Sequence, residues 1–235
     1  MRNGELFIQK FNELDHVLRQ ITGVAGEDRY SPFSKVVDLV ADKNVAVRKR
    51  KEILKRIGKL RNAIIHDRDY PNRILADPRS EVIEELESVL AAIARPQKLI
   101  PKFQKTIRIF TGKHSLADCL SFMIENDFSQ VVVAHESEYV LLSSEGIVKW
   151  LENARDVGLA DLEGASVLDA LRFEDRNICR YLSRNDPVDA AFEMFEKAIG
   201  SGIPRLQGIL ITENGKPQER PRGIVTPWDL LGEVP

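Results

Sequence analysis

Cysteine is scarce here: Cys119 and Cys179 are the only two in 235 residues. Each lies inside an apolar pattern and far from the other, which excludes a disulfide framework and a cysteine-built zinc cage. No apolar run approaches the ~18 residues of a membrane span. Met1-Arg-Asn-Gly-Glu5 lacks the apolar core of a secretory leader. The expectation is therefore a cytoplasmic protein with no membrane contact and no metal site. Aromatic residues are only 7%, yet hydrophobic residues reach 43% and charged ones 30%, the composition of a folded chain rather than a disordered one. The length suits one large domain or two modest ones.

Net charge is also small, −2, but it is unevenly placed. Residues 1–100 hold 19 Lys+Arg against 15 Asp+Glu, and the remainder is acidic. Nine basic residues crowd Lys43 to Arg61, opposed only by Asp42 and Glu52. Such a run is either a solvated helix face or a polyanion-binding one.

The first hundred residues carry helical periodicity. Leu6, Phe7, Phe11, Leu14, Leu18 and Ile21 make one stripe, stopped by Gly23 and Gly26. Ser31-Pro32 opens a second helix with Phe33, Val36, Val37 and Val40 inward. A third is expected from Val45 to Ile65 through Ile53, Leu54, Ile57, Leu60 and Ile64. A fourth spans Glu81 to Ala94 through Val82, Leu86, Val89 and Ile93. Four amphipathic helices suffice for a bundle over residues 1–97. Arg95 to Pro101, proline-rich, reads as a linker.

Beyond it the order becomes β-α-β-β-α: a strand at Ile107–Phe110, a helix from Ser115 to Asn126, strands at Val131–Val133 and Tyr139–Leu142, and a helix from Ser144 to Ala154. The order then returns. Ile107 aligns with Cys179, Arg108 with Arg180, Leu116 with Val188, Met123 with Phe195 and Val131 with Ile203, all 72 residues on; Ser143 aligns with Thr226, 83 residues on. The fold expected is α + α/β: a four-helix bundle, then a pseudo-twofold pair of β-α-β-β-α units over 98–235, the first about 98–155 and the second about 166–235.

This order, its period and the closing Gly223-Ile-Val-Thr-Pro-Trp-Asp-Leu-Leu231 resemble a tandem CBS-domain pair, the Bateman module. The resemblance implies an adenine nucleotide or adenosyl ligand (AMP, ADP, ATP or S-adenosylmethionine) in a cleft between the units, with no cofactor required. Asp229, one turn into a helix, offers two acceptor oxygens to a ribose diol. Thr226 and the helix-start N–H groups suit a phosphate, and Gly223 leaves room for close ligand approach. Ile203-Pro204 is where the family lets adenine lie. Arg180, Arg205 and Arg222 are candidate phosphate partners. Thr226-x-x-Asp229 equally reads as a capping box with Pro227 at the first helical position. In the first unit Val140, Ser143 and Gly146 stand at the positions of Gly223, Thr226 and Asp229, so one ligand cleft is expected rather than two.

In the helical half, Leu60-Arg-Asn-Ala-Ile-Ile-His-Asp67 resembles the Arg-polar-x-x-x-His motif of the HEPN superfamily, small bundles that commonly dimerise. Arg61, Asn62 and His66 match. In catalytic members this implies metal-independent RNA cleavage, with histidine moving the proton and arginine neutralising phosphate charge. The same residues can instead form a polar clamp at a helix end. The reading taken is a regulator, most plainly a homodimer, that senses an adenine nucleotide through the CBS pair and passes the signal to a dimeric HEPN-like domain. The alternatives are a HEPN-type ribonuclease acting on RNA and gated by the pair, and a ligand-free dimerisation scaffold.

Overall fold

The computed structural model describes residues 2–22, 31–66, 77–156, 162–201 and 205–231. The chain divides into two compact units, Met1–Gln97 and Lys98–Pro235.

The first unit is helical: α1 (Asn3–Thr22), α2 (Phe33–Ala41), α3 (Val45–Lys49), α4 (Lys51–His66) and α5 (Ser80–Ala94). Its core joins Phe7, Phe11, Leu14 and Leu18 of α1 to Val36, Val37 and Val40 of α2, Leu54, Ile57 and Ile64 of α4, and Leu86, Val89 and Ile93 of α5. Spacings of three and four residues put each set on one helix face. The first turn of α1 is tied down from the other end of the unit, since Gly4 N–H donates to Asp77 Oδ1 at 2.7 Å.

The single helix expected over Val45–Ile65 is two, broken at Arg50. Val45 and Leu54 are both buried, yet nine residues at ~100° each set them on opposite sides of an ideal helix. A break lets both turn inward. Asn44 caps the short α3 by accepting from Val47 N–H at 3.1 Å, and Arg50 Nη1 closes its end on the Ala46 carbonyl.

The second unit begins with α6 (Leu99–Lys102), then β1 (Ile109–Phe110), α7 (Leu116–Glu125), β2 (Gln130–His135), β3 (Glu138–Ser143) and α8 (Ser144–Asp156). After α9 (Val167–Leu171) come β4 (Cys179–Ser183), α10 (Val188–Gly200), β5 (Gly208–Thr212), β6 (Gly223–Val225) and α11 (Pro227–Leu231). Two three-stranded sheets result, ordered β1-β2-β3 and β4-β5-β6, the first pair in each parallel and the second antiparallel. Strand alternation divides the burial: Val131 and Val133 join the core under α7, and Ile209 and Ile211 the one under α10. Val132, Leu141, Leu210 and Ile224 face one another in a core shared by the two sheets.

Two further sequence expectations need correction. The pairings Ile109↔Val132 and Tyr181↔Leu210 set the repeat at 72 residues for the first strand but 78 for the second. Val131 is therefore matched by Ile209, not Ile203, because α10 is three residues longer than α7 and the connection after it is also three residues longer. Nor is the whole of 95–101 a linker. Leu99 and Ile100 are buried with Phe103 in the α10 core, and Leu99 N–H donates to the Asp186 carbonyl at 2.9 Å. The leading segments are exchanged: α6 packs in the second half, whereas Val167 and Leu171 of α9 pack in the first.

Candidate functional site

The strand β6 delivers the chain to Thr226, and α11 begins at Pro227. Asp229 Oδ2 accepts from Thr226 N–H at 2.8 Å and from its hydroxyl at 2.7 Å, and the hydroxyl lies 3.4 Å from Asp229 N–H. The capping box is thus formed. The other carboxylate oxygen, Oδ1, accepts from Lys105 Nζ at 2.9 Å. Lys105 lies just before β1 and reaches a residue that follows β6, in the other three-stranded half. Burial works against the ionised Asp229, yet the Lys105 ammonium and the two Thr226 donors outweigh it and hold this carboxyl below its ordinary range.

This carboxylate faces a cavity of about 300 Å³, at the lower end of ligand pockets. Lys105, Ile107, Arg108, Phe122, Phe128 and Ser129 supply one side, and Ile224, Thr226, Trp228 and Asp229 the other. Arg108 lies against aromatic faces, its guanidinium carbon 4.8 Å from the Phe122 ring centre and 4.9 Å from that of Phe110. Trp228 is 78% exposed, so the mouth carries a free indole.

Of the described residues selected from sequence for this module, Thr226 and Asp229 line this cavity, and Arg180, Arg205, Arg222 and Gly223 do not. Arg180 belongs to a separate cavity of about 350 Å³ with Leu182, Glu193, Met194 and Lys197, and its Nη1 donates to the Cys179 carbonyl at 2.8 Å. Arg205 pairs with Glu145 at the start of α8, and Arg222 with Glu213 at 2.7 Å. The room at Gly223 is already taken: a Cβ there would overlap the Phe103 carbonyl. The close approach that the glycine permits is the chain's own, not a ligand's. Ile203 and Pro204 lie outside the described residues. Thr226 and Asp229 use their N–H groups in the cap, and Pro227 has none, so the helix start offers a phosphate less than expected. The cations of the cavity are instead Lys105 and Arg108, which the sequence reading missed. One signal was available, because Arg108 is the repeat mate of Arg180.

No family model matches the sequence, and no curated protein does. Among solved structures, the chain is similar to CbpB in complex with c-di-AMP, at 15% identity and a TM-score of 0.44, covering 66% of this chain and 93% of that one. It is also similar to the CBS domain pair of protein MJ0100, in complex with 5′-methylthioadenosine and S-adenosyl-L-methionine (16% identity, TM-score 0.43, covering 59% of this chain and 95% of that one). An uncharacterised conserved protein from Pyrococcus horikoshii follows at 21% identity and TM-score 0.41, covering 59% of this chain and 92% of that one.

In the helical unit, Arg61 and Asn62 come together, Arg61 Nη1 donating to Asn62 Oδ1 at 3.3 Å. His66 ends α4, and its side chain lies outside the described atoms. Part of the basic run is neutralised within the unit, as Lys51 and Lys55 both lie 2.8 Å from Asp38. The cysteines are buried, and burial pushes the thiols up, Cys119 to about 11 and Cys179 to about 12. Among the described residues no group of three His, Cys, Asp or Glu could hold a metal ion, and no helix is long and apolar enough to cross a membrane.

Proposed function

We propose that Lys98–Pro235 is a CBS-type sensing module that binds one adenine nucleotide, or a related adenosyl compound, in the cleft at Asp229. One observation carries this reading: an ionised, half-buried carboxylate at the end of β6 opens on a cavity that also holds two cations and an aromatic wall. A ribose diol can donate to Asp229 Oδ1, the base can lie along Ile107 and Ile224, and Lys105 with Arg108 can take an anionic group. The output is regulatory. A ligand that prefers one arrangement of the two β-α-β-β-α halves biases the module toward it, and the helical unit, acting as a HEPN-like dimer, receives that bias. Calorimetry with AMP, ADP, ATP and S-adenosylmethionine on wild type, Asp229→Ala and Asp229→Asn tests it. Binding that weakens in both variants supports the assignment, and equal affinity in all three proteins removes Asp229 from the site.

A further inference from the structure

The two β-α-β-β-α halves carry an arginine at the same point of the repeat, Arg108 and Arg180, 72 residues apart. The fold treats them differently. Arg180 is spent on its own backbone: Nη1 donates to the carbonyls of Cys179 at 2.8 Å and Asn177 at 3.3 Å, and Nη2 to Asn177 Oδ1 at 3.5 Å. For Arg108, among the described residues, no carbonyl or carboxylate accepts from the guanidinium. Asp127, which also lines the Asp229 cavity, makes no ion pair with it.

What Arg108 has instead is two rings. Its guanidinium carbon sits 4.8 Å from the centre of Phe122 and 4.9 Å from that of Phe110, and the rings are 5.5 Å apart and tilted by 55°. The guanidinium thus lies in an aromatic corner. Phe110 is fully buried, and Phe122 is backed by Phe128 at 5.8 Å, so the corner is built into the fold. Stacking uses the face of the guanidinium and leaves its N–H edge for an acceptor. The repeat mates of Phe110 and Phe122 are Leu182 and Met194, which offer Arg180 no ring. The arginine without rings turns to the backbone, and the one on rings keeps its donors for the cavity that it lines.

We propose that Arg108, positioned by Phe110 and Phe122, sets the ligand class of the Asp229 cleft: an adenosine carrying a 5′-phosphate, not an adenosyl sulfonium. This rests on the reading that Asp229 receives the ribose. With the diol on that carboxylate, the 5′ substituent falls to Arg108 and Lys105. A phosphate accepts from the guanidinium edge, as the planar fork favours. A sulfonium would stand beside two cations in a partly closed cleft, where like charges are poorly screened. Phe122 is a positioning residue, fixing where the Arg108 donors point. The second cleft, whose arginine is already engaged, reads no phosphate.

Calorimetry on the full chain tests this with adenosine, AMP and S-adenosylmethionine, on wild type, Arg108→Gln, Phe122→Leu, Phe122→Tyr and Arg180→Gln. Far-UV circular dichroism and melting curves establish that each variant is folded. Wild type is expected to bind AMP tighter than S-adenosylmethionine. Arg108→Gln should weaken AMP about tenfold or more, as loss of a charge-assisted hydrogen bond dictates, and leave adenosine unchanged. Phe122→Leu should weaken AMP roughly two- to fivefold, the size of one exposed cation–π contact, again without moving adenosine. Phe122→Tyr, which keeps the ring, should restore AMP binding, and Arg180→Gln should change neither ligand. The proposal is overturned by an AMP affinity indifferent to Arg108 or to Phe122, by adenosine and AMP weakening together in Phe122→Leu, by S-adenosylmethionine binding wild type tighter than AMP, or by no AMP binding at all. Failure of the underlying reading looks different: adenosine then binds Asp229→Ala as well as wild type, whatever Arg108 and Phe122 do to AMP.

Discussion

The carboxylate of Glu174 fills the space that a Cβ on Gly146 would need. From there Glu174 Oε2 accepts from both the N–H and the hydroxyl of Ser143, each at 2.6 Å. The hydroxyl in turn lies 3.1 Å from Gly146 N–H. In the other half Asp229 performs the same service for Thr226 from within its own helix. Both helices are capped by a carboxylate, but in the first it comes from 31 residues downstream. Gly146 is therefore the condition for Glu174, not merely a lost aspartate.

It follows that Gly146→Ala destabilises the protein, although alanine is the better helix former. The new methyl evicts Glu174, and Ser143, fully buried, loses its acceptor. A cost of about 1–3 kcal/mol is expected from a lost cap and an unmade buried hydrogen bond. Glu174→Ala should cost a similar amount. The pair Gly146→Asp with Glu174→Ala rebuilds the cap in the manner of Asp229 and should recover most of the loss. Urea denaturation of the four proteins decides it; a double variant no more stable than Glu174→Ala would show the two caps are not interchangeable.

Gly223→Ala has a larger expected effect, because backbone rather than a side chain stands in the way. The added Cβ meets the Phe103 carbonyl where Gln104 bridges to Gly223 beside β6. Relief requires moving α6, whose Leu99 and Ile100 are core. A loss on the order of 2–4 kcal/mol is expected, in the range of severe overpacking. Melting with and without nucleotide separates this from a ligand effect. A variant of native stability but reduced nucleotide affinity would return Gly223 to the ligand's side of the account.

The repeat was legible because each half must bury a period-2 strand face and a period-3.6 helix stripe, and Val131, Val133, Ile209 and Ile211 record the former plainly. What sequence alone could not show depends on partners far along the chain. Glu174 gives no local sign that it caps Ser143, and Lys105, before the first strand, gives none that it will meet Asp229. The six-residue drift of the register is split between the extra turn of α10 and the connection after it, so a fixed 72-residue period stops short of the true strand, at Ile203. Arg50 looked helical because propensity is read residue by residue, whereas the break serves the opposed burial of Val45 and Leu54. Proline made 95–101 look like a linker, although its apolar Leu99 and Ile100 belong to a core.

Glu219 supplies a pH dependence whose sign can be fixed. Its two oxygens accept from Asn214 Nδ2 at 2.7 Å and Asn214 N–H at 2.6 Å, and these bonds hold its carboxyl at about 2. An unfolded glutamate titrates near ~4.3. Falling pH therefore protonates the unfolded chain first, so the stabilisation is complete at neutral pH and is lost as pH drops from about 5 towards 2. Glu219→Gln should be less stable than wild type at pH 7, and the gap should shrink to a small fraction of that by about pH 2.5, as urea midpoints at pH 7, 4 and 2.5 would reveal. A gap that is constant with pH would mean that the two Asn214 bonds do not depend on the charge.

Lys105 gives the sharpest test of what the cleft prefers, since its ammonium occupies the Asp229 oxygen that a ribose diol requires. A ribose diol that donates to this oxygen competes with it. The pair is half-exposed on the lysine side, so displacement costs only about 0.2–1 kcal/mol. Once displaced, the same ammonium is free to reach an anionic group beside Arg108. Lys105→Ala should therefore act in opposite directions on two ligands. Uncharged adenosine is expected to bind a few-fold tighter, because nothing competes for Asp229. AMP is expected to bind about tenfold weaker, having lost a charge-assisted hydrogen bond. Measuring both affinities by calorimetry on one preparation cancels errors in active fraction. If adenosine and AMP shift together, by the same factor and in the same direction, the lysine does not read the phosphate and the cleft recognises the nucleoside alone.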